Sequence, residues 1–422
     1  MWPVNKEPCM RDVTAAIVAF NQDRQARFLP YKYTLMASSP FRFYRGSCHL
    51  FYQDLVAAQT WQDPTRAWIC GDLHVENFGT YRGRNRLVYF DLNDFDEAVL
   101  APVTWEISRF IGSVYLLGHQ LNINTAELTL IAFSLMESYL QAINMGKAFI
   151  LERQHSSGIL KTLMHAANTT NNRAFYQARI APKSKRQPTL LTNDKKYFAI
   201  QPTAFKQELI AAFEQHLNQY ADDLGQFKVC DAVIRIAGTG SVGLKRYMFL
   251  VYHHQQQQLL FFDIKQAKPS SLKPYLSLPQ PTWVSEAERI HTIQHDCAYM
   301  LPAWYSSFQF QGDDYIVKET QPEENKMNFA LCQGKPKKLW HACHDMVRLM
   351  AYAQLRSSAR GLTNSSDELQ AYANDHAAWQ LHLIDYAHHY YHQVLQDYQH
   401  FCRDVPSLID SIHADTTQTP KK

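Results

Sequence analysis

Asp72 and Asn77 sit in the run Gly71-Asp72-Leu73-His74-Val75-Glu76-Asn77, just after a short apolar stretch. A carboxylate on such a loop can accept the proton of a substrate hydroxyl. A carboxamide oxygen five positions on can ligate magnesium beside a phosphate chain. Downstream, a second apolar stretch ends in Asp91-Leu92-Asn93-Asp94-Phe95-Asp96, clustered oxygens of the kind a hard cation needs. Each half alone also reads as an acidic turn with capping Asp and Asn residues. As an ordered pair, both spacings match one magnesium–phosphate layout.

Two further signals lie far along the chain. Gly238-Thr239-Gly240-Ser241-Val242-Gly243 is a G-x-G-x-x-G, weak by itself. It fits a Rossmann turn, with Asp263 as the downstream acid, an ordinary glycine-rich hairpin, or a hairpin that covers phosphates with its backbone N–H groups. The residues after it, Leu244-Lys245-Arg246-Tyr247-Met248-Phe249-Leu250-Val251-Tyr252, are β-branched and aromatic. They predict a strand where a Rossmann turn would open a helix. Next, Phe261-Phe262-Asp263-Ile264-Lys265 puts a lysine near the end of a strand, as in the V-A-I-K lysine that pairs with nucleotide phosphates. A helix beyond it carries Glu286 and Glu288, either of which can form the ion pair that orients such a lysine. Solvated surface positions are the plain alternative for all three.

The elements that must hold these groups follow from the apolar pattern. Residues 11–27 predict an amphipathic helix, 31–60 a loop and then a helix, 67–70 a strand, 71–85 a polar loop and 86–90 a second strand. Helical spacing returns over 104–151. Residues 153–203 read as surface insertions, and 204–224 as a strong helix. Strands are predicted at 229–237, 247–252, 259–264, 308–311 and 314–318, with a polar hairpin tip at 253–258 and a helix near 285–300. Residues 338–401 are helical again. The expected fold class is therefore α+β, in three parts: 1–225 helical with the catalytic and metal loops, 226–325 β-rich and nucleotide-binding, 326–422 helical. The aromatic and His-rich run 386–392 reads as helix packing rather than a pocket wall.

Composition narrows the partners. Across 422 residues, 42 Lys+Arg against 39 Asp+Glu leave a net charge of +3, too balanced for a dedicated nucleic-acid binder. No apolar run approaches the ~18 residues of a spanning helix. The start of the chain lacks the apolar core of a secretory signal, so a cytoplasmic protein is expected. Its eight cysteines are scattered singly, which predicts reduced thiols rather than zinc sites or disulfides.

In an ordinary protein kinase the parts run glycine loop, lysine, helix glutamate, hinge, long helix, catalytic Asp and Asn, metal Asp. Here the catalytic and metal loops come first. The long helix ending near Arg356 runs into Ser357-Ser358-Ala359-Arg360, where a kinase would start its catalytic loop. One rearrangement accounts for both: a circularly permuted, two-lobe kinase-like fold with a small β-rich nucleotide lobe and a large helical lobe.

Ser39-Pro40-Phe41-Arg42-Phe43-Tyr44-Arg45-Gly46, Cys70 to Gly79, Phe90 to Glu97 and Gly238 to Gly243 resemble the uncharacterised bacterial family called domain of unknown function 2252, over roughly residues 38–400. That family in turn resembles the protein-kinase-like superfamily, above all the aminoglycoside and choline phosphotransferases, whose loop reads H-G-D-L-H-x-x-N. The resemblance implies ATP and Mg2+ as cofactors, with Asp72 as base and Asn77 as magnesium ligand. Asp94 matches the metal aspartate, with Asp91 as the alternative and Asp96 also in range. Gly238, Gly240, Ser241 and Gly243 would cover the phosphates and Lys265 would contact them. Residues 315–322, Glu319 among them, would be the hinge that holds adenine. Cys70 stands where those phosphotransferases often have His, and the family's helix glutamate near Thr292 is missing. His74 is expected to pack and orient the loop. Arg42 and Arg45 would either clamp an anion or pair with the acidic loop.

The expected function is transfer of the γ-phosphoryl group of ATP to a hydroxyl of a small-molecule or protein acceptor. The alternatives are nucleotidyl transfer (AMPylation) on the same scaffold, a non-catalytic pseudokinase-like ATP-binding protein, and a Rossmann oxidoreductase.

Overall fold

The computed structural model describes residues 11–152, 154, 156–169, 172–181, 188–220, 226–320 and 327–418. It opens with four helices, α1 (Val13–Phe20), α2 (Leu29–Met36), α3 (Pro40–Gly46) and α4 (Cys48–Ala58). The expected loop after residue 31 is thus mostly helix. Pro40 stands at the first turn of α3, where its missing N–H costs nothing, and the Ser39 side chain caps the Arg42 N–H at 3.2 Å.

β1 (Ala67–Ile69) leads into the Asp72 loop and a 3-10 turn, Val75–Asn77. β2 (Phe78–Arg82), inside the expected polar loop, pairs antiparallel with β3 (Val88–Leu92), and β4 (Val99–Ala101) pairs with β1. α5 (Val103–Gln120) is buried along nearly its whole length, with Glu106 and Arg109 among its buried residues, and packs against α6 (Thr125–Asn144).

After α7 (Gly158–Thr169) and α8 (Asn172–Gln177) come β5 (Tyr197–Phe198), α9 (Thr203–Tyr220), β6 (Phe227–Arg235), β7 (Arg246–His253) and β8 (Gln258–Gln266). Then follow α10 (Glu286–Cys297), β9 (Ser306–Phe310) and β10 (Asp313–Glu319). The strands form one sheet in the order β5-β6-β7-β8-β10-β9. Away from Arg246, Asp263 and Lys265 at their cleft ends, β7 and β8 are apolar on both faces because both faces are covered. On one side Phe213 of α9 lies 4.3 Å from Phe249. On the other, Phe175 and Tyr176 of α8 lie 5.6 and 4.6 Å from Phe261. The 153–203 stretch is therefore partly core, not only surface insertion.

The chain closes with α11 (Pro336–Arg356), α12 (Ser366–Asn374) and α13 (Gln380–Gln418). α11 packs on α6 and α13 on α5. The result is a mixed α+β molecule with a sheet lobe and a helical lobe. The aromatic run of α13 packs inward: Tyr390 meets Phe51 at 5.0 Å and Tyr391 bonds His119 at 2.9 Å. The seven described cysteines are free thiols. Among the described residues no helix is long and apolar enough to cross a membrane.

Candidate active site

The lobes meet at a cleft of about 290 Å³ whose lining includes Asp72, Asn77, Asp94, Lys265, Gly238 and Gly240. Asp96 and Ser241 line it as well.

β1 delivers the first group. At Gly71 the backbone has φ +78°, and a Cβ there would collide with the Glu97 carbonyl, so the loop passes the acidic segment where only glycine fits. The start of the loop is fixed by Glu106 of α5, whose carboxylate accepts from the Cys70 N–H at 2.5 Å and from Gln354 at 3.1 Å. Burial pushes Glu106 up to about 7. Asp72 turns one oxygen, Oδ1, to Arg109, which donates from Nε at 2.8 Å and from the terminal nitrogen at 2.5 Å. Burial raises the Asp72 carboxyl above its ordinary value, and Arg109 offsets part of that. Oδ2 lies under the glycine turn, 4.0 Å from where a Gly240 Cβ would be.

Asn77 donates its amide nitrogen to the Asp72 carbonyl at 3.0 Å and the Asp94 carbonyl at 3.5 Å, which leaves its oxygen as the group available to a cation. His74 packs edge-on to Phe41 at 5.9 Å, and burial holds it neutral, well below the usual histidine range. Arg45 pairs with Glu76 and also lines the cleft, while Arg42 reaches the Thr239 hydroxyl at 3.5 Å.

Asp94 and Asp96 are both ion-paired with Lys265, Asp94 at 2.9 Å. Their side chains are 43% and 28% exposed, against 9% for the lysine. Burial would raise Asp94, but Lys265 and Lys318 outweigh it and hold the carboxyl below its usual range. Burial and the neighbouring Asp94 charge push Asp96 up to about 6. Among the described residues no three His, Cys, Asp or Glu side chains gather as a metal cage. Magnesium is usually held by one or two carboxylates plus phosphate oxygens, so two carboxylates and one carboxamide oxygen fit it. The Lys265 ammonium marks the point where the two carboxylates already hold a cation.

Several expected site residues lie elsewhere. Asp91 is buried and engaged: it accepts from Arg356 at 3.2 Å and from the Tyr299 and Leu92 N–H groups. Glu288 stays at the start of its own helix, accepting from the Val284 N–H at 2.5 Å beside the Ser285 cap, and Glu286 pairs with Arg289 at 2.6 Å. The helix instead reaches the acidic segment through Arg289, which donates to the carbonyls of Asp96 and Lys268 at 2.8 and 3.0 Å. Glu319 pairs with Arg86 at 2.6 Å and does not line the cleft. The hinge stretch runs along β10 to Thr320, whose N–H donates to Phe261 at 2.8 Å; Gln321 and Pro322 lie outside the described residues. Gly243 is not in the lining either, its carbonyl accepting from the Gln25 N–H at 2.9 Å. Past the glycines the chain enters β7, so the Rossmann reading, which needs a helix there, is excluded.

Two groups at the site lie outside the sequence motifs. Arg109 is a charged residue inside a mostly apolar helix, a pattern visible in VTWEISRFIGSVYLL. Lys32 is wholly buried behind the glycine turn and had no comparable signal.

The profile of the family described as uncharacterized protein conserved in bacteria, DUF2252, matches residues 24–404. The chain belongs to this family. The matched span includes every cleft residue named above. No curated protein and no solved structure matches the chain significantly.

Proposed function

We propose that this member of the DUF2252 family is an ATP- and magnesium-dependent phosphotransferase of permuted kinase-like architecture. The observation that carries the reading is convergence. Asp72, Asn77 and Asp94 come from one end of the chain and Gly240 and Lys265 from far downstream, yet all line one cleft. The succession β1, Asp72 loop, Asn77, β2–β3 hairpin, Asp94 fits the kinase order of catalytic loop, hairpin and metal aspartate. The permutation has its own support. After α11, Asn364 exchanges hydrogen bonds with Arg66, 2.7 Å to its carbonyl and 2.5 Å from its N–H, one residue before β1. The exit of the long helix and the entry to the catalytic strand are therefore neighbours in space, where an unpermuted chain would run straight on.

In this mechanism Asp72 orients the acceptor hydroxyl and takes its proton on Oδ2, while Arg109 fixes the carboxylate through Oδ1. Lys265 and the amides of the glycine turn hold the phosphate chain. Magnesium, when bound, would be held by Asp94, Asn77 and Asp96 and would neutralise charge on the β- and γ-phosphates. The acceptor is a small-molecule or protein hydroxyl. Asp72→Ala is expected to lower transfer of label from γ-labelled ATP by about 10²–10⁴-fold while nucleotide binding persists. Full transfer by that variant would refute the assignment.

Nucleotidyl transfer on the same scaffold is the second reading. Acceptor labelled from α- but not γ-labelled ATP would select it.

A further inference from the structure

The glycine turn does not hold itself in place. Lys32 of α2, with none of its surface exposed, donates to the carbonyls of Thr239 and Gly240 at 3.2 and 2.8 Å. Arg24, between α1 and α2, donates to the carbonyls of Gly240 and Val242 at 2.7 and 2.8 Å. Gln25 takes the next two, its N–H bonding Gly243 at 2.9 Å and its side chain Leu244 at 3.1 Å. Among the described residues no carboxylate is within ion-pair distance of Lys32. A buried lysine held only by carbonyls is a costly arrangement and calls for a reason.

Peptide geometry supplies one. In a trans peptide the N–H points opposite to the C=O. With the Thr239 and Gly240 carbonyls drawn toward α1 and α2, the Gly240 and Ser241 N–H groups face away from them. Both residues line the cleft, and among the described residues neither amide donates a hydrogen bond. Successive free amides of this kind make an anion-binding nest.

We propose that Lys32 is a positioning residue for the phosphate chain: by fixing the turn's carbonyls from behind it aims the turn's amides into the cleft. Lys32 does not line the cleft, whereas Arg24, which holds the Gly240 and Val242 carbonyls, does. This rests on the reading of the cleft as a nucleotide site, and it adds that the opening helices belong to the nucleotide-binding apparatus.

The test is Lys32→Met in the full chain, with Mg·ATP as the probe, measured by binding and by steady-state transfer of labelled phosphate. Losing hydrogen bonds from a charged donor should raise Kd and KM about tenfold or more with kcat changed little. A role in folding alone would lower the melting temperature and the active fraction but leave KM unchanged. If Lys32→Met does not fold, Lys32→Gln, which puts a shorter, neutral amide in place of the ammonium, carries the same expectation through the Thr239 and Gly240 carbonyls. Wild-type affinity and KM in a folded variant would overturn the proposal. Failure of the wild-type protein to bind Mg·ATP would instead overturn the nucleotide reading beneath it.

Discussion

The Arg109–Asp72 pair offers a quantitative handle on the site. The Arg109 side chain has no exposed surface, and Asp72 keeps 22% of its own. The guanidinium makes two bonds to one carboxylate oxygen, a third to the Tyr44 carbonyl at 3.1 Å, and lies 4.2 Å from the Tyr44 ring centre. Arg109→Met preserves much of the stem packing but leaves a mostly buried carboxylate without its cation. Breaking a buried pair from one side costs about 3–5 kcal/mol, and the residual hydration of Asp72 places this variant near the lower end. Asp72→Asn keeps an acceptor oxygen for Arg109 but removes the counter-charge of the fully buried guanidinium, so its cost should be similar, about 3 kcal/mol. In the double variant neither charge is stranded. Its cost should fall short of the sum by about 2 kcal/mol. Urea unfolding followed by tryptophan fluorescence reads all four corners of the cycle. Additivity within about 0.5 kcal/mol would refute the argument, because two groups that share these bonds cannot act independently.

Two further outcomes test the surroundings. Glu106 has its folded-state value raised to about 7 by burial, so between its unfolded value and that point the folded state holds the extra proton. Stability should therefore fall as pH rises through that window, by about 3 kcal/mol in total, and Glu106→Gln, which keeps an acceptor for the Cys70 N–H, should flatten the slope; chemical denaturation at a series of pH values checks this. Glu288→Ala removes the acceptor of the Val284 N–H but keeps the Ser285 cap of α10, so it should cost no more than about 1 kcal/mol and leave the Kd for Mg·ATP unchanged, since Lys265 is ion-paired with Asp94 and Asp96 instead.

Much of the sheet lobe was legible because its strands are continuous β-branched and aromatic runs bounded by polar turns, and the turn at 253–258 and the strand after Gly243 fell as read. The helical opening at 31–60 was not, because Ser39-Pro40 signals a helix start as readily as a loop. β2 escaped because Phe-Gly-Thr-Tyr-Arg is short and glycine-bearing, and it exists through pairing with β3 rather than through its own propensity. At the site, the Asp72 and Asp94 loops could be read because their chemistry is concentrated in a few adjacent residues. The partners of those residues could not: whether Lys265 meets a helix glutamate or Asp94 and Asp96 depends on how far α10 stands from β8, and no local pattern encodes that distance. Asp91 shows the same limit. Its neighbour-by-neighbour identity matches a metal ligand, and only the tertiary placement of Arg356 assigns it to structure. Lys32 is the extreme case, a lysine in a short helix whose role appears only once the glycine turn is folded against it.

The most direct measurement is thermal unfolding of the wild-type protein and of Asp72→Ala, Asp94→Ala and Lys265→Ala with and without Mg·ATP. Ligand at a hundredfold excess over Kd stabilises a folded protein by about 2.7 kcal/mol. A clear upward shift is expected for wild type and Asp72→Ala, and its loss in Asp94→Ala and Lys265→Ala. No shift in the wild type at millimolar nucleotide, or an equal shift in Asp94→Ala, would contradict it.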